Sequence, residues 1–239
     1  MTLAPKPLLP LRANPYESDE FLAAFPQGLR PGGLALTKEA LAFCRFPAGA
    51  FLVDLGCGTG TTLEYLSSLG FQVLGLDSSD KLLALAALKG PVQKATMDQT
   101  PLADQTVSGL FCECVLSLAK DKAQVLGEIK RVLKPGGYLI ISDLLAKTTR
   151  LPPKSATPLT CAAGAESLKS LTLLLTAAGF TLRYRQDHEK ALKSLAASLV
   201  WRYGSIKNLA YWLGDFTGCL SGVNLTYGLL VAQAPGPDN

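Results

Sequence analysis

Residues 53–60 read Val-Asp-Leu-Gly-Cys-Gly-Thr-Gly. This places an apolar strand ending beside an acid, a turn with glycine at every second position, and the start of a helix in one short stretch. Glycine leaves the backbone of such a turn free of side chains, so a ligand can approach it closely. A strand that feeds directly into a helix cannot pair with its neighbour through a hairpin. It needs a crossover and a parallel partner. This segment therefore argues for an α/β chain before any other feature is considered.

The pattern downstream agrees. Strands are expected at residues 50–55, 72–76, 92–95, 107–112, 138–142, 180–185 and 225–232. Helical spacing separates them at residues 61–69, 79–89, 123–133 and 165–178. Alternating strands and ten-residue helices specify right-handed βαβ units and a mostly parallel sheet with helices on both faces. The last strand is expected to run antiparallel. Upstream, four prolines in the first 15 residues mark an irregular arm. A short lid helix is expected at 17–25, and a helix at 36–44 opened by Thr37 as N-cap. Residues 144–164 read as a loop, and residues 190–203 and 206–213 as two extra helices. The domain reading is an N-terminal arm with lid helices at 1–49, then an α/β domain at 50–239 with a helical insertion at about 189–213.

A single glycine-rich loop is weak evidence of a ligand, because dinucleotide folds also carry one. Their spacing is G-x-G-x-x-G, however, whereas position 61 here is Thr. Two further acids strengthen the reading. Asp77 closes the second strand, where a carboxylate can hold two ribose hydroxyls, and Ser78 follows it. Asp98 follows the third strand, where an adenine amino group would lie, and Met97 can pack on the ring. Asp54, just before the turn, can accept from backbone or from a ligand ammonium.

Together these residues resemble the class I S-adenosylmethionine (SAM)-dependent methyltransferases, in particular the bacterial small-molecule, type 11-like group. Asp-Leu-Gly-Cys-Gly-Thr-Gly at 54–60 looks like that family's first motif, Asp77 like its ribose-binding acid, and Leu-Lys-Pro-Gly-Gly at 133–137 like the turn before its fifth strand. The chain also looks similar to uncharacterised methyltransferases of anaerobic bacteria. The resemblance implies a Rossmann-like seven-stranded sheet, SAM as cofactor, and a cofactor site comprising Asp54, Gly56, Cys57, Gly58, Gly60, Asp77, Ser78, Met97, Asp98 and Cys112.

Ligands bind at the carboxyl edge of such a sheet. Candidates for the acceptor side are therefore Glu113 and Cys114 after the fourth strand, Asp143 after the fifth, Cys161 in the following loop, and His188, the single histidine, after the sixth. Tyr16 and Arg30 in the arm are placed to touch the cofactor's carboxylate or the acceptor. Five of the six cysteines are expected near one face: Cys57, Cys112, Cys114, Cys161 and Cys219. Cys114, Cys161 and Cys219 could hold a soft metal, a metalloid or a thiol substrate, or could simply be small core residues. The arrangement is loosely similar to arsenite methyltransferases, although their longer cysteine-rich segments are missing. No resident metal is expected.

A net charge of +4, with no run of five basic residues, does not suggest a nucleic-acid partner. The place after the fourth strand reads Cys-Glu-Cys-Val, where amino-directed DNA methyltransferases carry Asn/Asp-Pro-Pro-aromatic. The expected partner is a small-molecule acceptor. A non-catalytic SAM sensor is the remaining alternative, since a fold does not fix a function. Prolines interrupt the first residues where a signal peptide needs an apolar core, and no apolar run reaches the roughly 20 residues of a membrane span. A cytoplasmic location with reduced thiols is therefore expected.

Overall fold

The computed structural model describes residues 15–26, 28, 30–147, 160–203 and 224–236. The expected helix at 206–213 and Cys219 lie outside the described residues.

Among the described residues eight strands form one sheet: β1 (Phe51–Leu55), β2 (Gln72–Asp77), β3 (Val92–Lys94), β4 (Val107–Glu113), β5 (Leu133–Ala146), β6 (Glu166–Ser167), β7 (Thr181–Asp187) and β8 (Leu225–Gln233). The spatial order is β3-β2-β1-β4-β5-β8-β7, with β6 paired to the end of β5. β1 to β6 pair in parallel, and β8 runs antiparallel between β5 and β7. The seven expected strands are all present. β6 is an addition, and β5 runs through Ala146 into what the sequence reads as loop. Every residue of 139–146 is buried. A run covered on both faces carries no polar alternation to mark its end.

The strands have two different faces. Val53, Leu55, Leu110, Cys112, Leu139 and Ile141 pack with α5 (Lys122–Val132) and α6 (Leu168–Ala177). Leu52, Val73, Phe111, Ile140, Leu229 and Val231 pack with α2 (Leu34–Cys44) and α3 (Thr61–Ser68). Successive side chains of a strand point to opposite faces, so the two helical layers receive alternate residues. On α5 the buried residues Val125, Leu126, Ile129 and Val132 fall on one helical stripe. Each such side chain contributes roughly 1.5–3 kcal/mol on burial. The Asp121 side chain caps α5 by accepting from Gln124 N.

The cap of α2 departs from expectation. Gly33 is the N-cap, with φ of 54°, and Thr37 lies inside the helix with no solvent exposure. The helix starts early because Gly33 supplies the positive φ that turns the chain. Thr37 is thereby free for another task. The described elements are completed by α1 (Asp19–Ala24), α4 (Asp80–Ala86), α7 (Glu189–Tyr203) and two short 3-10 turns at Pro15–Glu17 and Leu116–Leu118. α1 packs through Phe21 and Phe25 on Leu195 and Leu199 of α7. None of the described helices is long and apolar enough to cross a membrane.

Candidate functional site

The turn after β1 is stapled to the end of β2. Gly56 N–H and Cys57 N–H both donate to the Leu76 carbonyl, at 2.7 and 3.0 Å. Gly58 N–H donates to Asp77 Oδ2 at 2.9 Å, and Ser79 N–H to Asp77 Oδ1 at 2.9 Å. Asp77 is thus oriented by backbone donors, and a carboxylate retains lone pairs beyond these two bonds. Gly56 has a φ of +71°, and an added Cβ would lie 2.4 Å from Val115 Cγ2. Two independent demands, backbone hand and close approach, therefore fix this residue as glycine.

A cavity of about 420 Å³ opens beside this turn. Its size falls within the usual range for small-molecule sites. Asp54, Gly56, Cys57 and Gly58 line one side, Asp77, Ser78, Met97 and Asp98 another, and Glu113, Cys114 and Val115 a third. Tyr16, Phe21, Leu22, Phe25 and Arg30 of the N-terminal segment also line it. That segment is tied down by Lys81 Nζ, which contacts Asp19 Oδ1 at 2.6 Å and donates to Glu17 O at 2.7 Å, and by Thr59 Oγ1, which donates to Pro26 O at 3.2 Å.

Of the ten residues expected to bind cofactor, eight line the cavity. Gly60 and Cys112 do not. Gly60 has a φ of +78° and lies against α4, where a Cβ would come within 3.0 Å of Ala86 Cβ. It is a packing glycine. Cys112 is fully buried on the α5–α6 face of β4, because strand alternation sends it away from the face that carries Glu113.

Glu113 lies in a dense polar cluster. Its Oε2 meets Arg30 Nη1 at 2.5 Å and accepts from Thr62 Oγ1 at 2.5 Å, and its Oε1 accepts from Thr37 Oγ1 at 2.8 Å. Arg30 also donates to Thr62 Oγ1, and to Thr37 Oγ1 at 3.3 Å. The Arg30 and Glu113 side chains are 11% and 5% exposed, so this is a buried ion pair held by two hydroxyls. Thr37 and Thr62, which the sequence does not single out as site residues, come from α2 and α3. The hint available in the sequence is alternation: Glu113 shares a face with Phe111, and that face packs on α2 and α3.

Two buried polar atoms of residues that line the cavity have no hydrogen-bond partner among the described residues: Asp54 Oδ2 and Arg30 Nε. Burial, followed by repulsion from Glu113, pushes the Asp54 carboxyl up to about 8, against the opposing pull of Arg30. An orphaned carboxylate oxygen and an orphaned guanidinium N–H in one cavity suit a ligand with an ammonium and a carboxylate.

The other candidates are dispersed. Asp143 lies on the opposite face of the sheet, accepting from Ser117 N–H (2.9 Å), Ser117 Oγ (2.8 Å) and Leu144 N–H (2.8 Å). It braces the 3-10 turn behind the cavity and does not line it, and burial raises its carboxyl to about 6. His188 lies beyond β7, four strand spacings from β1, or roughly 19 Å. Its Nε2 lies 3.3 Å from Glu39 Oε1, which also accepts from Tyr184 OH at 2.8 Å. Neither residue reaches the cavity. Cys161 sits behind the wall. Its thiol donates to the Cys114 carbonyl at 2.9 Å and lies 3.3 Å from Tyr16 OH. Cys114, at the cavity, has a φ of +57°, and its thiol lies 3.0 Å from Tyr227 OH. Of the expected cysteine cluster, Cys57 and Cys114 line the cavity, Cys161 adjoins Cys114, and Cys112 belongs to the core.

Comparison with known proteins bears on the family and the fold. A family model described as a methyltransferase domain matches residues 53–141. An uncharacterised methyltransferase of Bacillus subtilis, YodH, is 35% identical over 53% of this chain and 56% of its own length. An arsenite methyltransferase of Halobacterium salinarum is 29% identical over 58% of this chain and 39% of its own length. The chain therefore spans about half the length, or less, of these curated relatives. Among solved structures, a phosphoethanolamine N-methyltransferase of Haemonchus contortus in complex with SAM has a TM-score of 0.70 at 18% identity, covering 91% of this chain and 57% of that one. With the turn, the three acids and the sheet order in place, residues 53–141 match the methyltransferase domain and the fold around them is that of the class I SAM-dependent methyltransferases.

Proposed function

We propose that this chain transfers a methyl group from SAM to a small-molecule acceptor. The observation that carries this is the orphaned Asp54 Oδ2, on a residue that lines a cavity together with Arg30 and the backbone-oriented Asp77. In this reading Asp54 takes the ammonium of the donor, Arg30 its carboxylate, Asp77 the ribose hydroxyls, and Met97 with Asp98 the adenine. When bound, the sulfonium supplies an already activated methyl group. The chain's own residues then have to bind, orient and exclude water. Phe21, Phe25 and Leu22 supply an apolar cover. Glu113 is already engaged by Arg30, Thr37 and Thr62, and in this reading it fixes Arg30 rather than acting as a base. The arm at 1–49 acts as the cover and residues 50–239 as the catalytic domain. A cytoplasmic location and a partner other than nucleic acid belong to the same proposal.

Calorimetry with SAM and S-adenosylhomocysteine tests the reading. Saturable 1:1 binding of both is expected, and loss of binding in a folded Asp77→Ala protein. Absence of heat with either ligand, or an unchanged affinity in the variant, overturns it.

A further inference from the structure

Beside the donor cavity two thiols from distant parts of the chain face one another. Cys114 follows β4 and Cys161 precedes β6. The Cys161 thiol donates to the Cys114 carbonyl at 2.9 Å, and the neighbouring Cys161 side chain, followed by burial, holds the Cys114 proton on well above the usual range. Tyr16 closes the pair from the N-terminal segment. Its hydroxyl lies 3.3 Å from Cys161 Sγ and accepts from Cys161 N–H at 3.1 Å. Tyr227 OH touches Cys114 Sγ at 3.0 Å and bonds to Ser142. Cys114 keeps a left-handed backbone that non-glycine residues seldom adopt. Its N–H is fixed on Ser142 O at 2.7 Å, and the residue lines the cavity. An inert packing cysteine needs neither a strained backbone nor a second thiol.

Protonated thiols are poor nucleophiles toward disulfides, because exchange requires the thiolate. They suit an electrophile that brings its own base. A trivalent arsenic centre bearing hydroxide or oxide is of this kind. Two As–S bonds form, the As–O bonds break, both thiol protons leave with oxygen as water, and no oxidation state changes. Two soft sulfur ligands also match such a thiophilic centre.

We propose that Cys114 and Cys161 form a two-thiol site for a trivalent, thiophilic metalloid, and that Tyr16 couples its occupation to the cover of the donor cavity. The inference rests on the donor reading above and adds a ligand that regulates the donor cavity. Binding at Cys161 displaces Tyr16, which lies directly before α1, the helix that carries Phe21 over the cavity. Metalloid and donor then oppose one another, and linkage makes the effect reciprocal.

The test uses the whole reduced protein and phenylarsine oxide. Mass spectrometry is expected to show one phenylarsenic per chain, reversed by a small dithiol and not by a monothiol. Cys114→Ser or Cys161→Ser should each weaken binding by about 100-fold, the advantage of a second tethered ligand. As a control that needs no variant, the bound reagent should protect Cys114 and Cys161, and no other cysteine, from alkylation in denaturant. Donor affinity should fall at least about fivefold with the reagent bound, an effect lost in Tyr16→Phe. Protection of a different pair, or full binding to either single variant, overturns the site. Equal donor affinity with and without reagent overturns the coupling. Failure of SAM to bind while the reagent still protects the pair removes the donor reading and leaves the thiol site standing.

Discussion

The partnerless oxygen of Asp54 makes donor binding a proton-linked event. In the ligand-free chain, burial and the repulsion of Glu113 hold its carboxyl at about 8, so at pH 7 it is mostly protonated. A donor ammonium placed against Oδ2 favours the ionised form and lowers that value. The donor therefore binds better as pH rises toward 8, and binding at pH 7 releases close to one proton. If the bound value falls below 6, the fraction of Asp54 ionised before binding sets the slope. Affinity should then be about 50-fold weaker at pH 6 than at pH 8, or roughly 2.3 kcal/mol. Isothermal titration across this range, repeated in buffers of different ionisation enthalpy, measures both the slope and the proton count. Asp54→Asn should flatten the slope and lower the plateau. The same substitution should raise the thermal midpoint of the ligand-free protein. Because the folded-state value is raised, ionising Asp54 is harder in the fold than in the unfolded chain, so the fold loses stability as pH climbs from about 4 to 8. Asn avoids that cost. A pH-independent affinity, or an identical slope in Asp54→Asn, refutes the assignment of Asp54 to the ammonium.

Three further outcomes are expected. Glu113→Gln strips the buried Arg30 of its counter-charge and should cost about 3–5 kcal/mol in chemical denaturation; adding Arg30→Met should recover much of that stability without restoring donor binding. Gly56→Ala combines a positive φ with a 2.4 Å clash against Val115 and should cost at least about 1–3 kcal/mol and abolish donor binding; Val115→Ala should relieve only the clash, so rescue in the double variant should be partial. His188→Ala should leave turnover unchanged within about twofold at every pH and alter stability only slightly, since the residue bonds Glu39 beyond the sheet edge; a lost ionisation in the rate profile would contradict this.

Sequence by itself determined the features that depend on local chemistry. The glycine turn, Asp54 at the strand end and Asp77 nineteen residues after Gly58 all follow from the backbone's need for a tight turn and from short-range periodicity, and each lies where the motif places it. Helices α3, α5 and α6 were legible because their apolar stripes repeat every turn. Tertiary structure alone decided which side chains meet. Asp143 and Glu113 look equivalent in the sequence, as acids at the ends of adjacent strands, yet they lie on opposite faces of the sheet. Thr37 reads as a helix cap and instead holds Glu113, and Gly60 reads as a ligand glycine and instead admits α4. The Arg30–Glu113 pair spans 83 positions, and the Tyr16–Cys161 contact spans 145. No local pattern encodes such distances. They are fixed by the strand order and by the parity of each residue along its strand, which together decide what shares the cavity wall.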